Sequence, residues 1–423
     1  MSGNRQSRLS GGELRSRAYT AVIVSVVAGV LFGCFSSVIV NSRKQFYSGN
    51  ASAAANTLAK IKEKEGKDQI LALMDYGMAL HVAGNYRESA NALLEANRLI
   101  ELNDVVKVGE KAGSMVTNKM MTTFRPESFE RVLVHTYLMI DFMMLDDWSA
   151  ARVEAKQALK VLDNLDPELQ DQTFTRYVCG LAFEVMGDND DAYIEYSKVA
   201  KESPNYLQIY YELYRLASLG GRSQDAEKWA KKITALGGII PADLKPPNLI
   251  IFVGAGRSPV KKEINILIPP YANRFVVPDY VSSGSRAKNA VLKVNNVAAA
   301  SYMLTDLDPL AEKTLKKRIA KEIAEEAARV AAKEAITRQI EDQNALLGLG
   351  ARVVFFASEA ADVRSWETLP RYLGVITRPL PAGTYDLSVE FFSNSGASLG
   401  TVEKKSVTIS DNRRTVLSMR SVQ

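Results

Sequence analysis

Small residues recur along the first half of this chain at a spacing that few folds tolerate. Gly187 and Gly221 stand 34 residues apart, and Gly49 and Gly84 stand 35 apart. Five residues after each comes another small residue, at Ala54, Ser89, Ala192 and Ala226. The same frame holds at Asp146 and Ala151, with an aspartate where glycine stands elsewhere. Gly77 and Gly180 lie seven residues before two of these turns. A period of this length marks one supersecondary unit repeated, each copy unable to bury its apolar face without a stacked neighbour.

The clearest copy, "GLAFEVMGDNDDAYIEYSKVAKESP" from Gly180 to Pro204, resembles a tetratricopeptide repeat. On that reading Gly180 lies where two helices approach closely, Gly187-Asp188 turns the chain, Ala192 is the small contact on the second helix, and Pro204 follows it. "YGMALHVAGNYRESANALLEA", "LASLGGRSQDAEKWA", "FYSGNASAAANTLAKI" and "FMMLDDWSAARVEAKQAL" repeat the frame. Five helical hairpins are therefore expected over residues 35–246, with a longer insertion at 101–127. Their packing positions are Gly49, Ala54, Gly77, Gly84, Ala151, Gly180, Gly187, Ala192, Gly221 and Ala226. The resemblance implies a curved solenoid whose concave surface holds an extended peptide or a partner helix. The plainer alternative is a solenoid that only positions a second domain.

The second half follows other rules. Pro241, Pro246 and Pro247 mark a boundary, after which "NLIIFVG", "EINILI" and "AVLKVNNV" read as strands. Asp308-Pro309 supplies an N-cap and first-turn proline for one long helix over about 309–347, stopped by Gly348 and Gly350. Its narrow apolar stripe suits a helix lying on a sheet of its own domain. "ARVVFFA", "YLGVITR", "GTYDLSVEFF", "TVEKKSVTI" and "RTVLSM" then return to strands. The fold class expected is α+β: an all-α, tetratricopeptide-like solenoid followed by a β-rich domain over 247–423 that carries one long helix.

The N-terminus addresses the compartment. Arg5, Arg8, Arg15 and Arg17 against Glu13 precede an uncharged, mostly apolar run from Ala18 to Gly33. This is the pattern of a signal peptide over residues 1–33. Leu31-Phe32-Gly33-Cys34 resembles a bacterial lipobox, which implies cleavage before a lipidated Cys34, although Phe32 departs from the small residue usual there. Phe35, in place of Asp, implies transfer to the outer membrane. The alternative is an uncleaved inner-membrane anchor, since 23 uncharged residues run from Ala18 to Val40 and about 20 cross a bilayer. Either way the rest of the chain faces the periplasm.

Four stretches carry a further resemblance: "SFERVLVHTYLMIDFMMLDDWSAARVEAKQAL", "SPVKKEINILIP", "LTDLDPLAEKTLKKRIAKEI" and "ADVRSWETLPRYLGVITRPLPAGTYDL". In this order they resemble an uncharacterised family of bacterial tetratricopeptide-repeat-containing lipoproteins. The resemblance implies architecture and no activity. Within its most distinctive motif Trp366 reads as a core anchor and Arg364 as its stacked or paired neighbour, with Asp362, Arg364 and Trp366 as candidate contacts for a ligand or partner in the alternative.

Composition narrows the function classes. Apolar residues make up 47% and charged residues 24%, as in ordinary globular proteins. Without the four arginines and the glutamate of residues 1–33, 49 basic residues face 47 acidic ones, so there is no nucleic-acid footprint. Cys179 is the only other cysteine, beside Gly180, and reads as a buried structural thiol. His81 and His135 fall on first helices of repeats with no evident partner. "DNDDAYIEYSKV" lacks the glycine and glutamate of a calcium loop, and "GAGRSP" lacks the ending of a phosphate loop. No metal site, cofactor or enzymatic activity is expected. The expectation is a membrane-anchored envelope scaffold that binds envelope proteins through its repeats, accessory to an assembly, export or cell-wall machine. The alternative is a glycan- or peptidoglycan-binding lipoprotein acting through its β-rich domain.

Overall fold

The computed structural model describes residues 37–62, 66–106, 122–170, 172–268, 273–295, 297–319, 339 and 361–423. The signal segment, Cys34, the strand expected at 351–357 and most of the long helix lie outside them. Helices α1 (Ser37–Tyr47), α2 (Ala51–Leu58), α3 (Gln69–Ala83), α4 (Tyr86–Val106), α5 (Ser128–Met144), α6 (Trp148–Asp163), α7 (Thr173–Val185), α8 (Asn189–Glu202), α9 (Leu207–Leu219) and α10 (Ser223–Ala235) pair as five hairpins. Gly49, Gly84, Asp146, Gly187 and Gly221 all take positive φ at the hairpin turns, the left-handed conformation that ends a helix. Gly77 and Gly180 serve close approach instead. A Cβ at Gly180 would lie 2.5 Å from the Tyr196 ring, and one at Gly77 would lie 2.7 Å from Leu93.

The strands are β1 (Leu249–Ala255), β2 (Val260–Ile268), β3 (Asn273–Val281), β4 (Ala287–Val294), β5 (Val297–Ala300), β6 (Tyr302–Asp306), β7 (Tyr372–Arg378), β8 (Gly383–Ser393), β9 (Ser398–Ile409) and β10 (Thr415–Ser421). They form one sheet ordered β10-β1-β7-β6, another ordered β5-β4-β8-β9, and a β2–β3 hairpin. β1 is buried along its whole length. Leu249, Ile251, Val253 and Ala255 meet Leu292, Val389 and Phe391 of the second sheet, while Ile250 and Phe252 join the core of the helices. Burial of both faces explains why "LIIFVGA" is an unbroken apolar run rather than an alternating one.

The helices are buried unequally. Every residue from Thr173 to Glu184 on α7 is buried, whereas α10 buries only Trp229 and Ile233. First helices α3, α5 and α7 are covered twice: by their second helices, and by β10 or β6 of the chain's own β10-β1-β7-β6 sheet. Phe174 packs edge-on against Phe252, and the Thr305 hydroxyl accepts the Phe174 N–H at 3.1 Å. One core runs from Phe46 through Leu133 and Phe252 to Trp366 and Val416, across the boundary expected near residue 246. The first helices α3, α5 and α7 thus carry strands of the β-rich half.

Two details at the helix following β6 correct the sequence reading. The helix, α11 over 307–319, is capped by Asp306, whose Oδ1 accepts the Asp308 N–H at 3.1 Å. Asp308 lies inside the first turn and pairs with Arg371. Leu307, Ala311 and Leu315 form its buried stripe. No helix among the described residues is long and apolar enough to cross a membrane.

Candidate functional site

The segment "ADVRSWETLP", residues 361–370, is where the two halves are held together. Arg364 is fully buried and engages all five guanidinium donors. Nε and Nη2 reach the Asp362 carboxylate at 2.8 and 2.7 Å, Nη1 reaches Asp68 at 2.8 Å and the Lys67 carbonyl at 3.1 Å, and Nη2 also donates to the Thr122 carbonyl at 2.9 Å. Trp366 is fully buried, its ring edge-on to Tyr137 on α5, and its backbone N–H donates to Glu130 at 2.7 Å. The structure thus brings Asp362, Arg364 and Trp366 together, and their contacts are with the chain's own arm. α1 and α3 complete the grip. Arg43 donates to the Ser365 carbonyl and to Asp75, each at 2.7 Å, and the Thr368 hydroxyl donates to Asp75 at 2.7 Å. The Tyr47 hydroxyl donates to the Glu367 carbonyl.

Two carboxylates at the start of α5 share this region and differ in charge preference. Glu130 accepts the backbone N–H of both Glu127 and Trp366, yet desolvation pushes its carboxyl up to about 7. Glu127 also suffers desolvation, but Lys261 at 2.6 Å and Arg318 at 2.9 Å outweigh it and hold its carboxyl below the usual range.

The histidines are not without partners. His81 Nδ1 lies 2.6 Å from Asp141 Oδ1, and its Nε2 lies 2.7 Å from Ser418 Oγ. His135 Nδ1 lies 2.7 Å from Glu154. Their partners come from other elements, α5, β10 and α6, so no local motif announces them. Carboxylate, imidazole and hydroxyl in that order reproduce the connectivity of a nucleophilic triad. Volume decides against that chemistry. The adjoining cavity, lined by Met78, Tyr137, Phe252, Ser418 and Arg420 among others, measures about 10 Å³. That is room for about one water, so no acyl group fits beside Ser418 Oγ. The relay ties α3 and α5 to β10. Cys179 is fully buried and desolvation pushes its thiol up, which suits packing rather than nucleophilic attack. Among the described residues no group of three or more His, Cys, Asp or Glu is placed to hold a metal.

No family model matches the chain, and no curated protein matches it. Solved structures that resemble it are MamA, at 16% identity and TM-score 0.34 over 46% of this chain and 94% of that one. MamA 41-end from Desulfovibrio magneticus RS-1 has 14% identity and TM-score 0.32 over 47% and 91%. YrrB, described as a TPR protein with an unusual peptide-binding site, has 13% identity and TM-score 0.35 over 48% and 87%.

Away from the sheet, α6 and α8 border an open groove of about 450 Å³. Leu159, Phe183 and Ile194 supply its apolar wall, with Lys156, Lys160 and Asp191 at its rim. Ile194 is 50% exposed, and Val153 on α6 is 52% exposed. Sequence reasoning did not single out this groove, nor Arg43, Asp75, Glu130, Asp141 and Ser418. The one local signal was Glu127 followed by Glu130 ahead of an apolar run, which is a capping box in the structure.

Proposed function

We propose that this chain is a scaffold acting through protein–protein contact, held at the bacterial envelope by its N-terminal segment, with partners docked on the outer surface of the helical hairpins. The observation that carries the reading is the division of the arm's two faces. The first helices are spent on the chain's own sheet, while the second helices keep an apolar-floored, charge-rimmed groove in solvent. An apolar centre with a polar rim is the anatomy of a protein interface. A β-rich half fused rigidly to the arm makes one body whose outer surface is presented in a fixed orientation, and tethering raises the local concentration of weak partners. The fully buried Trp366 offers no face to a sugar, so the glycan reading loses the residue it was centred on.

Site-specific photo-crosslinking in cells tests this. Probes at Val153 and Ile194 are expected to capture the same discrete envelope protein, and a probe at Lys288 on the far sheet is not. Replacing residues 1–34 by a cleaved, unlipidated signal peptide is expected to release the chain from membranes and abolish the adduct. No adduct from either helical position, or an unchanged one from the released chain, overturns the reading.

A further inference from the structure

We infer that a single chloride ion is held between Arg420 and the hydroxyls of Tyr137 and Ser418, at the seam between arm and sheet. Alternation along β10 sets the site up. Leu417 and Met419 face the second sheet, so Ser418 and Arg420 point at the helices. The Arg420 guanidinium lies 5.0 Å from the ring centroid of Phe46 on α1, and its Nη1 donates to the Thr368 carbonyl. Its Nε and Nη2 are buried and have no hydrogen-bond partner. Arg222, Arg318 and Arg414 also leave a buried nitrogen unpartnered, but each pairs with a carboxylate: Asp190, Glu127 and Glu184. Arg420 pairs with none among the described residues.

A guanidinium keeps its charge in a protein, and a buried charge without a partner is strongly destabilising. Burial pulls Arg420 below the ordinary arginine value, opposed by the phenols of Tyr137 and Tyr47, while Arg257 adds to the fall. Those phenols cannot be the counter-ion, because burial pushes both up to about 12. Asp75 and Glu367 are taken by Arg43. The missing negative charge has a place to sit. Arg420, Tyr137 and Ser418 all line the cavity of about 10 Å³. Gly254 of β1 lines it too, opposite Arg420 in the ladder, and has no side chain to fill it. The Tyr137 hydroxyl forms no hydrogen bond among the described residues, and Ser418 Oγ is positioned by His81. Asp141 sits on the other ring nitrogen of His81 and is not part of the lining. Room for one body of about water size excludes phosphate, sulfate and carboxylates, and leaves a monatomic anion. A water would accept from the guanidinium but leave its charge uncancelled. The site stands independently of the outer groove.

Equilibrium unfolding of the full chain in detergent micelles tests the inference, with chloride exchanged for gluconate at constant ionic strength. Gluconate is too large to enter the cavity. Above the dissociation constant, each tenfold rise in chloride is expected to raise the folding equilibrium constant about tenfold. Arg420→Met is expected to be indifferent to the exchange. Tyr137→Phe keeps the ring and is expected to move the chloride response to severalfold higher concentration. Bromide-soaked crystals of the wild type give a readout that needs no variant to fold. An anomalous scattering peak is expected within hydrogen-bond reach of Arg420 Nε or Nη2. Equal stability of the wild type in chloride and gluconate overturns the inference. So does a chloride response that survives in Arg420→Met, or a cavity that holds only water in the bromide crystals.

Discussion

His81 Nε2 stands 2.7 Å from Ser418 Oγ, joining the arm to the last strand across 337 residues of chain. The other ring nitrogen faces Asp141, a fully buried carboxylate whose second oxygen has no partner. Desolvation pushes the Asp141 carboxyl up and His81 opposes that shift. The imidazole is thus what makes this carboxylate tolerable where it sits, and the serine is its outer attachment.

That asymmetry ranks two substitutions. His81→Ala leaves a buried, unpaired carboxylate and is expected to cost about 3–5 kcal/mol. Ser418→Ala removes one neutral hydrogen bond and is expected to cost about 1 kcal/mol. Equilibrium denaturation of both variants measures the ranking, and a reversed order would mean the serine, not the carboxylate, governs the relay.

The repeat glycines divide the same way. Gly180→Ala drives a Cβ to 2.5 Å from the ring of Tyr196, which is 1% exposed and held by its hydroxyl to Glu184, so it has no room to swing aside. Overpacking of this kind costs about 1–3 kcal/mol. Gly49→Ala meets nothing within 4 Å but keeps φ +89, a strain of about 1–2 kcal/mol. Adding Tyr196→Ala should rescue Gly180→Ala in part and leave Gly49→Ala as it was. Chemical denaturation of the three single variants and the two double mutants decides it.

Legibility in the sequence follows how local each cause is. Positive φ at Gly49, Gly84, Gly187 and Gly221 and the contact at Gly180 are set within one hairpin, so a 34-residue period exposes them. Strands β1, β7, β8, β9 and β10 are written in β-branched and aromatic runs. β3 contains Pro278, and β5 and β6 are the short runs "VAAA" and "YMLTD", strands made by their neighbours rather than by propensity. Asp362, Arg364 and Trp366 were legible as a motif, but their surroundings were not. Asp68, Glu130 and Tyr137 come from the other half of the chain, and the covering of the first helices by a sheet has no trace in the repeat frame itself.

Glu130 makes stability depend on pH. Its carboxyl is raised to about 7 by desolvation, so the folded state holds a proton that the unfolded chain, at about 4.5, releases. The contribution is fully present below pH 4.5 and is lost as pH rises through 7, a few kcal/mol in all. Glu130→Gln abolishes this titration. Unfolding free energy of the wild type should therefore fall between pH 4.5 and 7 relative to Glu130→Gln, and parallel pH profiles would show that Glu130 does not titrate in this window.

Arg364 supplies the last and most localised test, because it touches three separate pieces of chain and nothing in solvent. Asp68 and Lys67 precede α3, Thr122 precedes α5, and Asp362 lies on the segment itself. Arg364→Ala leaves these groups without their shared donor and is expected to cost about 3–5 kcal/mol. Arg364→Lys keeps the charge but not the planar fork, and should recover only part of that. Hydrogen exchange gives the spatial signature: amides at 66–68, 122–124 and 361–368 should exchange faster in both variants, while α9 and α10, whose contacts lie elsewhere, keep their protection. Uniformly faster exchange over the whole chain would instead mean that the clasp holds the entire fold rather than the junction between arm and sheet.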